Sequence, residues 1–534
     1  MCIRDRVNVA AAMKQPLENP VYFTYPGQTN STRAGNLDQP ERTLRVLPDG
    51  STQETRTEYN SIGNVTRVVD PIGRETITEY AENEIDVTAI KQVLPNGNQE
   101  KIAEYLEYQD HLPLRIRDAS GQESSYTYNS RGQLLTSTDP LGRVSTINYL
   151  EGGLSVKGFG KPETITSFRN DNVVSITYDD LERAASVTGV DGYVTTHTYD
   201  NFDRPVTTTY MDGTQMSYEY KDLDLVKTTD REGRSTTRQY NAIRELISST
   251  DAEGRVNRYK WCRCGGLEEL TDALGRVTEW TLDLQGRLTK KTLPDGRAFT
   301  YTYDTVSRML SSKDPLGQDC VYTYNHDNTL ATKGFLNAVN ATEGYSYQYD
   351  AAYSRLTQVT DQYGVTNYTY HPYDGNTLGA GQVATVDGPW DNDTCVKTYD
   401  ELGRLVSDQL PSSPMSYTYD ILGRVDQMTD ALGTSTLTYD GATNRVLTNQ
   451  LPDGFSSIFT YTPQAEDYRL KSITHQHSST GIISSFEHEF SATGRITALN
   501  RQLRSGASQQ RYEYGYDAAD QLTSAVLTLS LIHI

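Results

Sequence analysis

The chain has 534 residues and a formal net charge of −21, a field that repels phosphate backbones and anionic lipid surfaces and so argues against nucleic-acid and membrane-surface binding. Only 36% of its residues are hydrophobic, against about 45–50% in ordinary domains when glycine is counted, and the mean hydropathy is −0.62, so a large dry core is excluded. Disorder is excluded too, because 38 tyrosines and 10% aromatics are foreign to disordered chains; aromatic, threonine-rich and aliphatic-poor is what a wide, thin β-sheet needs.

In chain order, residues 1–6 (Met-Cys-Ile-Arg-Asp-Arg) share nothing with the rest of the chain. Together with 526–534, which finish in Leu-Ser-Leu-Ile-His-Ile, they read as non-native ends of the kind left by sequencing-adaptor read-through. Arg4 and Arg6 followed by Val7 to Met13 are too short and polar for a signal peptide. No run approaches the ~18 apolar residues of a membrane span. Residues 7–39 read as a degenerate repeat or loop, and 40–525 as one repeat array.

Within that array two kinds of turn alternate. One is Asp-Pro-x-Gly, as at Asp70 to Gly73, Asp139 to Gly142 and Asp314 to Gly317, with Leu-Pro-Asp-Gly as its variant at Leu47 to Gly50, Leu293 to Gly296 and Leu451 to Gly454, and Asn96 replacing Asp in Leu94 to Gly97. Proline presets φ at the second position, and glycine accepts a positive φ at the last. The other is Asp/Asn-x-x-Gly directly after a tyrosine, as at Asn129 to Gly132, Asp400 to Gly403 and Asp420 to Gly423. About six residues separate the two, enough for one short strand.

The strand before the second kind of turn carries Tyr-x-Tyr: Tyr126/Tyr128, Tyr218/Tyr220, Tyr301/Tyr303, Tyr322/Tyr324, Tyr347/Tyr349 and Tyr368/Tyr370. Period-two alternation puts both rings on one face, and stacking from hairpin to hairpin predicts an aromatic ladder. The beat is 20 or 21 residues: Tyr108 and Tyr128; Tyr178, Tyr199, Tyr220 and Tyr240; Tyr303 and Tyr324; Tyr399, Tyr419 and Tyr439. Segments 150–175, with Gly152, Gly153, Gly158 and Gly160, and 371–398, with Gly375, Gly379, Gly381 and Pro389, break it and read as long loops between strands. No sustained 3.6-residue period with caps occurs, so very little helix is expected. Stacked hairpins bury one another's edges and form a quasi-one-dimensional array. The fold class expected is therefore all-β, a single-layer antiparallel sheet of stacked hairpins.

Tyr-Asp-x-x-Gly-Arg-Leu followed by Asp-Pro-Leu-Gly-Arg resembles the YD repeat of Rhs proteins, related toxin-complex subunits and teneurins, over nearly all of residues 40–525. The resemblance implies a ribbon that spirals into a hollow shell. In bacterial members the shell encloses a C-terminal toxic polypeptide and belongs to a secreted or surface-delivered protein. One departure concerns release of that toxin: the Asp-Pro-x-Gly-Leu of the family's self-cleaving core does not occur, the nearest matches ending in Arg74, Arg143 or Gln318. The leading expectation is a structural shell segment whose partner is a C-terminal toxin cargo not contained in this sequence. The alternative is a surface adhesin holding carbohydrate, with loop aromatics such as Tyr373 and Trp390 as candidates. An enzyme is the third and weakest reading.

No catalytic, cofactor-binding or metal-binding residue is assigned. Trp261-Cys262-Arg263-Cys264-Gly265-Gly266 stands where Tyr-Asp is expected; two cysteines do not complete the four ligands of a zinc site, and the segment reads as a repeat variant packing Trp261 and its thiols at the wall. Similar variants occur in Rhs-like chains. The five cysteines do not form a disulfide framework. His475 and His477 share a strand face, with His488 nearby, and read as solvent-facing strand residues. The Asp-x-x-Gly turns lack the dense alternating ligands of calcium loops. The sequons at Asn64, Asn340 and Asn392 read as chance.

Overall fold

A computed structural model describes residues 10, 12–30, 35–153, 156–169 and 171–529; segments 1–6 and 530–534 lie outside the described residues. The described residues form one antiparallel sheet of 45 strands. Two 3-10 turns, Pro452–Gly454 and Gln464–Glu466, accompany it, and no α-helix occurs among the described residues. Each strand pairs with its neighbours in sequence, as Ser413–Tyr419, Val425–Asp430 and Gly433–Tyr439 do. The last strand, Leu522–Leu529, pairs with Gln510–Tyr516 along its whole length. The result is a meander folded into a ribbon. All its turns fall on two edges, one carrying the Tyr-Asp turns and the other the Asp-Pro-x-Gly type.

The Tyr-Asp turn shows why its residues recur. Asp420 Oδ1 accepts the N–H groups of Leu422 and Arg424 at 2.9 and 3.0 Å, while Oδ2 accepts Arg424 Nε at 2.7 Å. One carboxylate thus caps the turn and aims the guanidinium. Gly423 closes the turn, donating to Asp420 O at 2.9 Å with φ +83°. The preceding tyrosine reaches backwards: Tyr419 OH donates to Leu405 O at 2.7 Å, and Tyr439 OH to Val425 O at 2.6 Å. The same bond recurs from Tyr80 to Val65 and as late as Tyr516 to Ile496.

The aromatic ladder takes a different form from the one expected. Arginine, more often than another ring, is the neighbour of each second tyrosine: Arg183 over Tyr199, Arg287 over Tyr303, Arg308 over Tyr324, Arg404 over Tyr419 and Arg424 over Tyr439, at 4.2–4.9 Å. A guanidinium fixed by its own aspartate satisfies the ring's negative face better than a second ring. On the opposite face, the residue between the two tyrosines pairs its hydroxyl across to the next strand, as Thr127 with Thr136 and Thr323 with Thr332, both at 2.6 Å.

At the tyrosine the register slips by one residue, so that Thr418 pairs with Gln427 but Tyr419 with Val425. The slip returns at Tyr128, Tyr199, Tyr303 and Tyr399. A bulge bends and over-twists its strand, and repeating it at the same place in every hairpin bends the whole ribbon one way.

Segments 150–175 and 371–398 are the same variant twice. Each begins with an enlarged Tyr-Asp turn: Gly160 N donates to Leu150 O and Gly381 N to His371 O, both at 2.9 Å. Each then returns to the sheet, as Pro162–Ser167 and Val383–Asp387. Gly158 and Gly379 lie under the next tyrosine, where a Cβ would come within 2.3 Å of Tyr178 and 2.4 Å of Tyr399.

Candidate functional site: the seam between turns of the ribbon

Buried residues are few, and several gather along one line: Leu47, Gln53, Arg74, Ala119 and Ser120 from the first half of the chain, Asp304, Val306 and Ala352 from the second. The line is a seam where the Asp-Pro-x-Gly edge of the first half meets the Tyr-Asp edge of the second. Arg74 Nη2 pairs with Asp327 Oδ2 at 2.6 Å, Arg143 Nη1 donates to Ile421 O at 2.8 Å, and Arg445 Nη1 pairs with Asp191 Oδ2 at 2.6 Å. Further along, Arg234 Nη1 pairs with Asp520 Oδ1 at 2.5 Å and Arg255 Nη1 with Asp517 Oδ2 at 2.9 Å. Backbone joins the seam too, Asn19 N donating to Thr305 O at 2.8 Å and Gly375 N to Ala119 O at 3.3 Å.

Seam partners lie between 236 and 289 residues apart in sequence. One circuit of the ribbon takes that length, so the described residues wind through nearly two circuits, the second stacked on the first. This winding makes a wall from a sheet one layer thick.

The most charged part of the seam surrounds a cleft of about 700 Å³ lined by Asp191, Tyr193, Tyr210, Arg231, Arg445 and Asp467. Arg231 bridges the circuits, holding Asp212 on its own side at 2.6 Å and Asp467 on the other at 2.5 Å. Tyr193 OH donates to Asp467 as well, and Tyr468 OH to Asp191 O at 3.1 Å. Burial works to raise the Asp467 carboxyl, but the bonds from Arg231 and Tyr193 outweigh it and hold it below the usual carboxylate range. Asp191 and Asp327 behave alike, burial being overcome by hydrogen bonds that include Arg445 and Arg74. Burial and then Asp467 push the Tyr193 phenol up to about 12. At a second point Tyr353 OH donates to Glu100 Oε2 at 2.5 Å, its ring stacked on Tyr373 at 4.9 Å with Arg355 4.3 Å over it. Chemically, these groups form charge-assisted clamps between two backbones.

Arg74 and Arg143, noted in the sequence only as departures from the cleavage motif, lie in the seam; the candidate binding and ligating residues lie elsewhere, with one exception. Tyr373, a candidate sugar platform, is part of the seam. Trp390 is exposed beside Tyr363, ring centroids 6.1 Å apart. The thiols expected at Cys262 and Cys264 are joined in a disulfide. There Trp261 Nε1 donates to Leu246 O at 2.7 Å in place of a tyrosine hydroxyl, and Cys262 Sγ accepts from Cys264 N at 3.0 Å in place of a carboxylate. His475 and His477 are half-buried and separated by a bulge, His475 bound to Ser457 Oγ at 2.8 Å and His477 to Asp453 O at 2.9 Å. Among the described residues no group of three or more His, Cys, Asp or Glu is placed to hold a metal ion, and no helix is long and apolar enough to cross a membrane. The seam itself was missed. Its only trace in the sequence is the acidic residue in some Asp-x-x-Gly turns of the first half, Glu232 and Glu253, where other copies carry leucine.

Comparison with known proteins agrees with this architecture. Residues 163–381 match the family model described as Teneurin YD-shell, and residues 109–144 that of the RHS repeat. No curated protein sequence matches the chain. Among solved structures, the TcdB2-TccC3-Cdc42 crystal structure superposes with a TM-score of 0.69 at 13% identity, over 95% of this chain and 33% of that one. TcdB2-TccC3 gives 0.67 at 13% identity, over 95% and 34%. A Tc holotoxin pore from Photorhabdus luminescens gives 0.63 at 11% identity, over 96% and 39%. This chain therefore spans a third or slightly more of the length of the structures it resembles, and at these identities the likeness is one of fold. Over residues 109–144 and 163–381 the chain is thus similar to the RHS-repeat and Teneurin YD-shell families, and its coiled sheet has the fold of these solved structures.

Proposed function

We propose that this wall encloses a polypeptide, the C-terminal toxin or effector of a larger bacterial protein that is secreted or delivered at the cell surface. The observation that carries the reading is the seam: a ribbon whose successive circuits are clamped edge to edge closes off a space, which an adhesive or catalytic strand array does not need. In this reading residues 40–525 are the wall, 7–39 a degenerate repeat at its start, and 1–6 and 526–534 are non-native sequence, of which 526–529 nonetheless pair with Gln510 to Glu513 in the sheet. The work is mechanical and no residue is assigned to catalysis.

The test is to sequence the native gene beyond both ends, then express the wall with the polypeptide encoded after it and challenge the pair with protease. The expected result is an Asp-Pro-x-Gly-Leu core followed by an unrelated domain that resists digestion inside the wall. Digestion as fast as that of the free domain would overturn enclosure. One observation favours a carbohydrate-holding adhesin instead, the open Tyr363 and Trp390 pair; glycan binding lost in Trp390→Ala would support it.

A further inference from the structure

One hairpin departs from the Tyr-Asp turn at three positions together. Where another copy carries Tyr419, Asp420 and Arg424, this one carries Trp261, Cys262 and Gly266, and the ring of the following hairpin is replaced by Leu282. The frame of the turn is kept. Cys262 N donates to Gly266 O at 2.8 Å and Gly265 N to Cys262 O at 3.1 Å, with Gly265 at φ +82°. Leu282 fills the space beside Gly266, where a Cβ would come within 2.1 Å of its Cδ1. No arginine therefore accompanies Cys262 as one accompanies the aspartate elsewhere, and its sulfur is bonded instead to that of Cys264.

The capping role of the aspartate has passed to a sulfur. Cys262 Sγ accepts the N–H groups of Cys264 and Gly266 at 3.0 and 3.3 Å, the same two positions from which Asp420 Oδ1 is capped. In those other turns the acceptor is an anion, and hydrogen bonds to a charged form favour it. At Asp517, whose turn also lacks the arginine, the N–H of Gln521 does most to hold the carboxyl below the usual carboxylate range. The cap belongs to five residues and not to their surroundings. Asp304 and Asp517, within the seam, show it at 2.8–3.0 Å, and Asp179 shows it at 2.9 Å. In the same hairpin Lys260 pairs with Glu268 and Glu269 at 3.7 and 4.0 Å. The neighbouring turns hold Glu245 on Asn241 and Asp283 on Arg287, which leaves Arg263 as the charge within the turn itself. The place given to Cys262 is thus one that suits a thiolate.

We propose that Cys262 and Cys264 form a thiol–disulfide exchange site for small cysteine-type thiols, with Cys262 as the sulfur that leaves and returns. An incoming thiolate bonds to Cys264 Sγ, the bond between the two cysteines breaks, and its electron pair stays on Cys262 Sγ, where the two N–H groups receive it. The sulfur better held as a thiolate is the better leaving group, which directs attack to Cys264. Two paths lead on from this mixed disulfide. Cys262 attacks Cys264 and expels the thiol, restoring the start, or a second thiol carries the first away as a small disulfide. The second path reduces one protein disulfide and oxidises two thiols, one proton going to Cys264 and the other to solvent. The turn keeps its form throughout, because its backbone bonds do not involve sulfur. The site is independent of what the wall encloses.

The test uses the full chain, with reduced glutathione as the small thiol. After incubation and quenching with acid, mass spectrometry locates the glutathione adduct, which should sit on Cys264 and not on Cys262. An adduct on Cys262, or a disulfide that glutathione leaves intact, would overturn the proposal. Cys262→Ser and Cys264→Ser then leave one thiol each in the turn, both proteins being checked for the wild-type circular dichroism spectrum. From pH 8 to pH 6, alkylation by iodoacetamide should slow about 75-fold at Cys264, as for an ordinary thiol of pKa about 8.5, but about threefold or less at Cys262. Equal slowing at the two would show that the N–H groups hold no thiolate, and would also overturn the proposal. The position of the adduct needs no variant, so it decides the matter even where a serine protein misfolds.

Discussion

Arg404 holds its guanidinium 4.2 Å over the ring of Tyr419, one hairpin further along the ribbon. Its Nε is fixed by Asp400 at 2.7 Å, and the tyrosine hydroxyl is fixed by Leu405 O at 2.7 Å. Tyrosine, aspartate and arginine therefore form a relay: the aspartate aims the arginine, the arginine covers the next ring, and that ring's hydroxyl ties its hairpin back to the one before. Tyr419→Phe should remove the hydroxyl bond at a cost of about 1 kcal/mol. Arg404→Met combined with Tyr419→Leu should show a coupling of about 0.5–1 kcal/mol in a double-mutant cycle. Strict additivity in denaturant unfolding would remove the relay.

The turn geometry makes a contrast between neighbours. Gly423 sits at φ +83°, and a Cβ there would lie 3.4 Å from Arg404 Nη1. Gly423→Val should destabilise by about 1–2 kcal/mol or more, whereas Gln427→Ala, on an exposed strand position, should stay within about 0.5 kcal/mol. The reverse change tests the same rule, because Glu182 already occupies this turn position at φ +62°. Glu182→Gly relieves that strain, and its melting temperature should rise. Equal melting temperatures for Gly423→Val and Gln427→Ala would sink the assignment.

How much of the structure is legible in the sequence depends on the range of the forces involved. The Asp420 cap, the positive φ of Gly423 and the 20-residue beat act within a few residues, so each leaves a local signature. The relay was half legible: the tyrosines suggested stacking, but nothing local says that the arginine four residues after Asp400 covers Tyr419 in the next hairpin. The seam left only the trace of Glu232 and Glu253 in its turns. Arg231 meets Asp467 because small bends, one bulge per hairpin, accumulate over a whole circuit, and no window of sequence contains both partners. Gly158 and Gly379 are an intermediate case, visible as glycine-rich interruptions whose reason is a ring two strands later.

That last pair gives a prediction of its own. Gly379 lies beneath Tyr399, where a Cβ would meet the ring at 2.4 Å with φ +74°. Gly379→Ala should push Tyr399 off its bond to Val383 O, now 2.9 Å. A loss of about 1–3 kcal/mol is expected, with faster amide exchange in Val383–Asp387 and Cys395–Tyr399. Gly375→Ala, where a Cβ has open space but φ is also positive at +74°, controls for backbone strain alone. Equal effects of the two substitutions would show that the ring contact is not the cause.

The seam should respond to acid in a direction set by its carboxylates. Asp467 is held below its ordinary value of 3.8 by Arg231 and Tyr193 against the opposing effect of burial. A carboxylate depressed in the folded state contributes stability that is complete above its unfolded pKa and is lost as pH falls through its folded value. Asp467→Asn should therefore be less stable than the wild type at pH 6, and the gap should close as pH drops below 3.8. Arg231→Met should weaken the same clamp at neutral pH, at a cost of about 1.5–3 kcal/mol for the lost charged hydrogen bonds, Asp467 keeping Arg469 on its own circuit. Its signature is spatial: amide exchange should quicken together around residues 210–214 and 464–469, which the chain separates by a full circuit, while the hairpin 413–430 is unchanged. An increase confined to one of the two segments would mean that Arg231 supports its own turn and does not clamp the circuits together. A wild-type advantage over Asp467→Asn that persisted undiminished to pH 2 would assign the stabilisation to packing and not to the charge.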